Sequence, residues 1–318
     1  MNFNNIRRSK SHPSLRKLSD TTSLSYKKMI QPLFVVEGIS EREPILGLDF
    51  VYRDSEESVL KQIEADLKGN VDQFLLFTVP KNKSDDTFSA DFYQRIIGSI
   101  KKEFPNSFLW LDTCVCSITT HGHCGHIDKD GRINNTLSVQ RLSSLALLFA
   151  QSGADGIAPS DMMDGRVASH RNILDKHLFF DIPIMSYSTK FKSNFYGPFR
   201  NAANSSPQMG DRSAYQLDVR DKDTAIRASI RDANEGADFL MIKPGMTSID
   251  LIQPIKEATK LPVGAFQVSG EYASINLLAE QGFLNREEGL VETWNVFRRA
   301  NVSFLITYAA REAYKLFS

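Results

Sequence analysis

A closed (β/α)8 barrel of the TIM type is the fold this sequence predicts, and three observations carry the prediction. Short β-branched or aromatic runs recur eight times, and segments of helical periodicity fill most of the intervals. Unusual polar residues cluster just after the runs, where such barrels gather their active sites.

The chain begins with a basic, serine-rich arm, residues 1–28, in which Arg7, Arg8, Lys10, Arg16, Lys17, Lys27 and Lys28 stand against one acid, Asp20. A transit peptide or a nucleic-acid tail shares that composition. The arm, however, runs straight into an apolar strand with no small-residue processing site. From residue 29 to 318 the sequence reads as one catalytic barrel. Its strands are expected at Pro32–Glu37, Phe74–Val79, Phe108–Asp112, Gly156–Pro159, Ile182–Tyr187, Phe239–Lys243, Val263–Val268 and Phe304–Tyr308.

Helical periodicity marks Glu56–Leu67, Leu137–Gln151, Ala225–Asn234 and Arg286–Arg299 among the intervening segments. Asp54 or Ser55 can cap the first of these, and Asp221 or Asp223 the third. Gly153, Gly236 and Gly282 fall where a left-handed residue ends a helix. The triplet Gly-Ala-Asp recurs at 153–155 and 236–238, each time leading from helix end to strand. Near-continuous apolar strands alternating with helices imply a parallel sheet covered on both faces. Eight units over about 280 residues suit the closed barrel, and the Gly-rich dinucleotide fingerprint of a doubly wound sheet is absent.

Composition narrows the function. Lys plus Arg and Asp plus Glu both number 38, so no charge surplus advertises a polyanionic partner. No apolar run approaches the ~18 residues of a membrane span, and the first thirty residues hold no secretory core. The expected setting is the cytoplasm, with neither nucleic acid nor membrane as partner. All three cysteines lie between Cys114 and Cys124, a poor disulfide framework and a better set of metal ligands.

Residues 112–125 read Asp-Thr-Cys-Val-Cys-Ser-Ile-Thr-Thr-His-Gly-His-Cys-Gly. Cys114, Cys116 and Cys124 supply three soft thiolates, which favour zinc over magnesium or calcium. Three protein ligands leave a coordination position for water or substrate. His121 or His123 as a fourth would instead close a structural site. Reduced thiols without metal are the plainer alternative. The place of the motif just after a barrel strand favours the open, catalytic form.

Two lysines stand out from the ordinary solvated kind. Lys190 ends Met-Ser-Tyr-Ser-Thr-Lys, and Lys243 follows Phe-Leu-Met-Ile before a Pro-Gly turn. A lysine aimed into a barrel mouth beside a second ammonium loses its charge readily and becomes a nucleophile toward a ketone. Two of them could hold two carbonyl substrates at once. Between Phe195 and Gln216 lies a Gly-, Pro-, Ser- and Asn-rich stretch without periodicity, expected to be an active-site lid or disordered. Its Arg200 and Arg212 suit bidentate capture of a carboxylate, or else form exposed surface ion pairs.

Together these segments resemble the 5-aminolevulinate dehydratase (porphobilinogen synthase) family. The resemblance rests on Cys-X-Cys…His-Gly-His-Cys-Gly, on Ala-Pro-Ser-Asp-Met-Met-Asp-Gly-Arg at 158–166 and on Met-Ser-Tyr-Ser-Thr-Lys with Phe-Tyr-Gly-Pro-Phe-Arg at 185–200. Lys-Pro-Gly at 243–245 and Gln-Val-Ser-Gly-Glu-Tyr at 267–272 complete it, and it runs in order from about Arg7 to the C-terminus. It implies condensation of two 5-aminolevulinate molecules to porphobilinogen, with loss of two waters, in tetrapyrrole synthesis. Lys243 and Lys190 would form the Schiff bases, and the three cysteines would hold catalytic zinc.

On the same resemblance Ser269 and Tyr308 would bind one carboxylate, and Arg200, Arg212 and Gln216 the other. Asp112 and Ser160 would line the pocket and assist the amine. A homo-oligomer, usually an octamer, is implied, its N-terminal arm embracing a neighbour, and Glu235 is the position for an allosteric magnesium. The chain departs from the family pattern at Ser117-Ile118, at Phe266 where a tyrosine is common, and at Ala214 where some members carry another cysteine. A class I aldolase with a structural zinc, or a zinc-ribbon-like nucleic-acid-binding protein, are the competing readings.

Overall fold

The structure is a computed structural model, and it describes residues 6–317. Eight parallel strands form the barrel: β1 (Met29–Val36), β2 (Gln73–Val79), β3 (Phe108–Thr113), β4 (Gly156–Pro159), β5 (Met185–Lys190), β6 (Phe239–Lys243), β7 (Val263–Gln267) and β8 (Leu305–Thr307). The ladder runs β4-β3-β2-β1-β8-β7-β6-β5. A parallel bridge between Ile157 and Ile184 joins its two ends and closes the ring.

Helices cover the outside, so the strands are buried on both faces, as their unbroken apolar character demands. Ser55 and Asp221 are the caps in use at Glu56–Lys68 and Lys222–Asn234, each accepting a backbone N–H from the first helical turn. Gly153, Gly236 and Gly282 all take positive φ.

Aromatic rings fill the lower interior. Trp110 of β3 meets Phe239 of β6 at 5.8 Å, and Phe239 meets Phe304 at the foot of β8 at 5.9 Å. None of these strands is adjacent to another in the ladder, so the contacts cross the barrel. Glycine on a neighbouring strand makes room for two of the rings. A Cβ on Gly156 would lie 2.4 Å from Trp110, and one on Gly264 would lie 2.2 Å from Phe304.

The expected strand Ile182–Tyr187 lies three residues later, as β5. Its sequence Met-Ser-Tyr-Ser-Thr-Lys is polar, yet every residue is buried. Helix Lys222–Asn234 supplies the partners: Ser186 Oγ donates to Asp232 at 2.6 Å, and Ser188 and Thr189 share hydrogen bonds with Ser229. Polar residues can therefore occupy a barrel strand here because the outer helix satisfies them.

The basic arm packs on the chain's own barrel over its described residues, 6–28. Leu15, Leu18 and Leu24 are buried. Arg8 pairs with Asp238 at 2.8 Å, and the His12 ring meets Phe108 at 5.1 Å. Asp238 precedes β6 and Phe108 opens β3, so the arm covers the lower end of the barrel, opposite the candidate site. Residues 1–5 lie outside the described residues. The lid stretch opens on a 3-10 turn, Asn194–Tyr196, and a short α-helix, Gly197–Ala202, and runs on irregularly to Gln216.

Candidate active site

The C-terminal ends of β3, β5 and β6 bring the chemistry together. Lys190 and Lys243 are paired in register across β5 and β6. A register irregularity between Leu240 and Ile242 aligns the two strand ends this way. Both lysines are buried. Lys190 Nζ donates to the Ser160 carbonyl at the end of β4.

Lys243 Nζ lies in a cage of rings: 4.0 Å from the centre of Phe266, 4.7 Å from Phe199, 5.3 Å from Tyr187 and 5.4 Å from Tyr196. Burial in that cage, and then the charge of Lys190, bring the Lys243 amine down to about 7. A substantial share of free amine is thus present at neutral pH. Tyr196 fixes the backbone behind it, donating from its hydroxyl to the carbonyls of Phe191 and Lys243.

Asp112, on β3, accepts from Ser160 Oγ at 3.1 Å and faces both lysines. Burial pushes its carboxyl up, and the two lysine charges oppose that. The Tyr308 hydroxyl, the Nε of Arg200 and Arg212, and both amide atoms of Gln216 have no partner. Buried polar groups are rarely left unpaired, so this set marks the walls of a site built for a polar ligand. Arg200 and Arg212 stand close enough that each disfavours the other's charge, which suits an anion between them.

The three cysteines leave the end of β3 and are buried, with sulfurs all within 4.8 Å of one another. Among the described residues they are the one group of three or more His, Cys, Asp or Glu arranged to hold a metal ion. Hydrogen bonds from Cys114 and Cys116 hold the Cys124 thiol well below its ordinary range, while burial pushes Cys114 well above. Neither histidine joins them. His121 Nδ1 accepts from the His123 N–H, and both ring nitrogens of His123 are bonded to the lid, at Tyr215 and Met209. Among the described residues the donor set is three thiols with no fourth protein ligand, and its soft sulfurs suit zinc.

Other expected residues sit differently. Ser269 is buried, but its hydroxyl accepts from Phe199 N–H and donates to the Phe195 carbonyl, tying down the start of the lid. Of the pair Ser269 and Tyr308, only Tyr308 has an unpartnered hydroxyl. Arg212 gives Nη2 to the carbonyls of Gly122 and Ser205, so its guanidinium is already half engaged. Glu235 stands in the helical layer, accepting from Ala168 N–H at 3.2 Å and facing Arg231 at 3.7 Å. Tyr196, Phe199 and Tyr215 are site residues that sequence reasoning did not single out, and His123 was weighed there only as a metal ligand. Tyr187 lay inside the quoted motif, but nothing local says that its ring centre lies 5.5 Å from Lys190 Nζ and 5.3 Å from Lys243 Nζ.

A sequence model of the delta-aminolevulinic acid dehydratase family matches residues 3–316. The chain belongs to this family. Members are lyases, and this chain is one of them. The delta-aminolevulinic acid dehydratase of Bacillus subtilis is 39% identical over 98% of both chains, and that of Helicobacter pylori is 40% identical over 99% of this chain and 98% of its own. Among solved structures, the Toxoplasma gondii delta-aminolevulinic acid dehydratase (porphobilinogen synthase), in complex with the reaction product porphobilinogen, superposes with a TM-score of 0.89. It is 36% identical, over 97% of this chain and 90% of its own. Membership of the dehydratase family takes the place of both the aldolase and the zinc-ribbon readings.

Proposed function

We propose that this dehydratase condenses two molecules of 5-aminolevulinate to porphobilinogen with loss of two waters, feeding tetrapyrrole synthesis. The observation that carries the reading is the register pair Lys190 and Lys243, opening beside three thiols into a wall of unpartnered polar atoms. Lys243, as free amine, attacks the ketone carbon of one substrate, and water leaves as the C=N bond forms. Lys190 holds the second substrate in the same way.

Tyr308 and the Arg200–Arg212–Gln216 group take the two carboxylates. Asp112 accepts and returns protons at the substrate amine, supported by Ser160. The ring cage around Lys243 excludes water, which keeps the imine from premature hydrolysis. Zinc bound by Cys114, Cys116 and Cys124 would supply Lewis-acid polarisation of a substrate oxygen or an activated water.

A cytoplasmic homo-oligomer, in the octameric form of the family, agrees with the rest of the reading. No helix among the described residues is long and apolar enough to cross a membrane. Magnesium at Glu235 would need donors from a second subunit, since among the described residues Glu235 belongs to no metal-binding group.

The test is borohydride reduction in the presence of 5-aminolevulinate, followed by mass spectrometry, together with porphobilinogen assay before and after zinc chelation. Adducts on Lys243 and Lys190, and activity that leaves and returns with zinc, are the expected results. Product formation with neither lysine ever modified would sink the Schiff-base mechanism.

A further inference from the structure

The cysteine loop and the lid are joined residue by residue. The carbonyl of His121 accepts from Gln208 N–H at 3.0 Å, and that of Gly122 accepts from Arg212 Nη2 at 2.9 Å. His123 Nε2 donates to the Met209 carbonyl at 2.9 Å. The Tyr215 hydroxyl lies 3.1 Å from His123 Nδ1 and accepts from Cys124 N–H at 3.3 Å. Four consecutive loop residues, ending in the third cysteine, thus hold four points of the lid, at Gln208, Met209, Arg212 and Tyr215.

Packing is as close as the bonding. Gly122 has φ +73, and a Cβ there would lie 2.4 Å from the Ser206 carbonyl oxygen. The lid backbone lies directly on the loop.

We propose that His123 and Tyr215 are positioning residues of a latch through which occupancy of the three-thiol set closes the lid over the lysines. The argument is geometric. A cation bound by Cys114, Cys116 and Cys124 fixes Cys124 relative to the end of β3. The Cys124 N–H and the His123 ring then present a fixed surface to Tyr215 and Met209. With the thiols untethered, the loop moves and the lid loses several of its anchors together. Arg212 is carried on the lid between those anchors, so closure also delivers the guanidinium that faces Arg200. Coupling of this kind is reciprocal: whatever factor zinc adds to lid closure, the closed lid adds to zinc affinity.

The inference rests on zinc occupying the thiols, and the experiment separates the two. Hydrogen exchange of lid amides 204–216 is followed by mass spectrometry in the full chain, with and without zinc, alongside direct zinc stoichiometry. In the parent, zinc is expected to slow lid exchange about tenfold, within the usual range of allosteric coupling, and to leave helix Lys222–Asn234 unchanged.

Tyr215→Phe removes only the bridging hydroxyl, and Gly122→Ala wedges the lid away without touching either latch side chain. Both should still bind one zinc, more weakly by a similar factor, and their lids should no longer respond to it. Zinc bound by the parent with no change in lid exchange would overturn the latch alone. So would a Tyr215→Phe lid that responds as the parent does. A parent that binds no zinc would overturn the metal reading and the latch with it.

Discussion

Lys190 and Lys243 are register partners at the C-terminal ends of β5 and β6, both buried and both interacting with the charge of Asp112 on β3. The pairing sets the reactivity of Lys243, because the charge of Lys190 ranks after burial among the causes that bring its amine down to about 7. In Lys190→Met the Lys243 amine should therefore titrate at higher pH. The measurement is the yield of borohydride-trapped adduct on Lys243 against pH. Its acid limb, centred near 7 in the parent, is expected to move upward, and an unmoved limb would mean the two charges do not interact.

Stability carries the opposite sign of the same relationship. The folded pKa of Lys243, about 7, lies below its unfolded value of 10.5, so the folded chain binds fewer protons between those limits. Its burial penalty is fully present below pH 7 and fades as pH rises toward 10.5. Lys243→Met should abolish turnover yet raise the melting temperature, with a larger gain at pH 6.5 than at pH 9.5. Thermal unfolding at about those two pH values checks it. An equal gain at both would show that packing, rather than charge, accounts for it.

Arg166 anchors the strand that carries Lys190, bonding to Ser186 and Tyr187 of β5. It is fully buried, pairs with Asp232 at 3.0 Å, lies 3.7 Å from Asp161 and donates to the Tyr187 carbonyl at 3.2 Å. Arg166→Ala leaves the buried Asp161 without its cation and Asp232 with Arg231 alone, and burial already pushes Asp161 up to about 7. A loss of about 3–5 kcal/mol in urea unfolding is expected, with stability recovering in part as pH is lowered and Asp161 protonates.

Arg200 and Arg212 should separate in kinetics although both are proposed to take the same carboxylate. Arg200 Nε is unpartnered, and its side chain is only half-buried. Arg200→Ala should raise KM by roughly ten- to a hundredfold, the worth of a charge-assisted hydrogen bond, with zinc content unchanged. Arg212 also ties the lid to Gly122, so Arg212→Ala should raise KM and loosen the lid as well. Steady-state kinetics with limited proteolysis of the lid distinguishes the two.

Phe266, flagged in the sequence as a lost hydroxyl, proves to be the ring nearest to Lys243 Nζ. What the sequence offered there was an absence, and what the fold supplies is a hydrophobic wall that lowers the amine's pKa.

Local signals determined the rest of the legible part. The runs Gly156–Pro159 and Phe239–Lys243 became strands at those same boundaries, since apolar continuity closed by proline or glycine is encoded within a few residues. The thiol triplet and the two strand-end lysines were readable for the same reason. Tertiary structure alone decided what lies across the chain. The polar strand β5 moved by three residues because its partners sit about 40 residues later on helix Lys222–Asn234. His123, a candidate metal ligand on spacing, is turned instead to Tyr215, 92 residues away, and Ser269 to Phe195, 74 residues away. The sequence determined which reactive residue types stand at the strand ends, because residue type and neighbouring pattern are local properties. Which hydrogen bonds those residues have left for a ligand depended on distant partners, and only the closed barrel brings those partners within 3 Å or so.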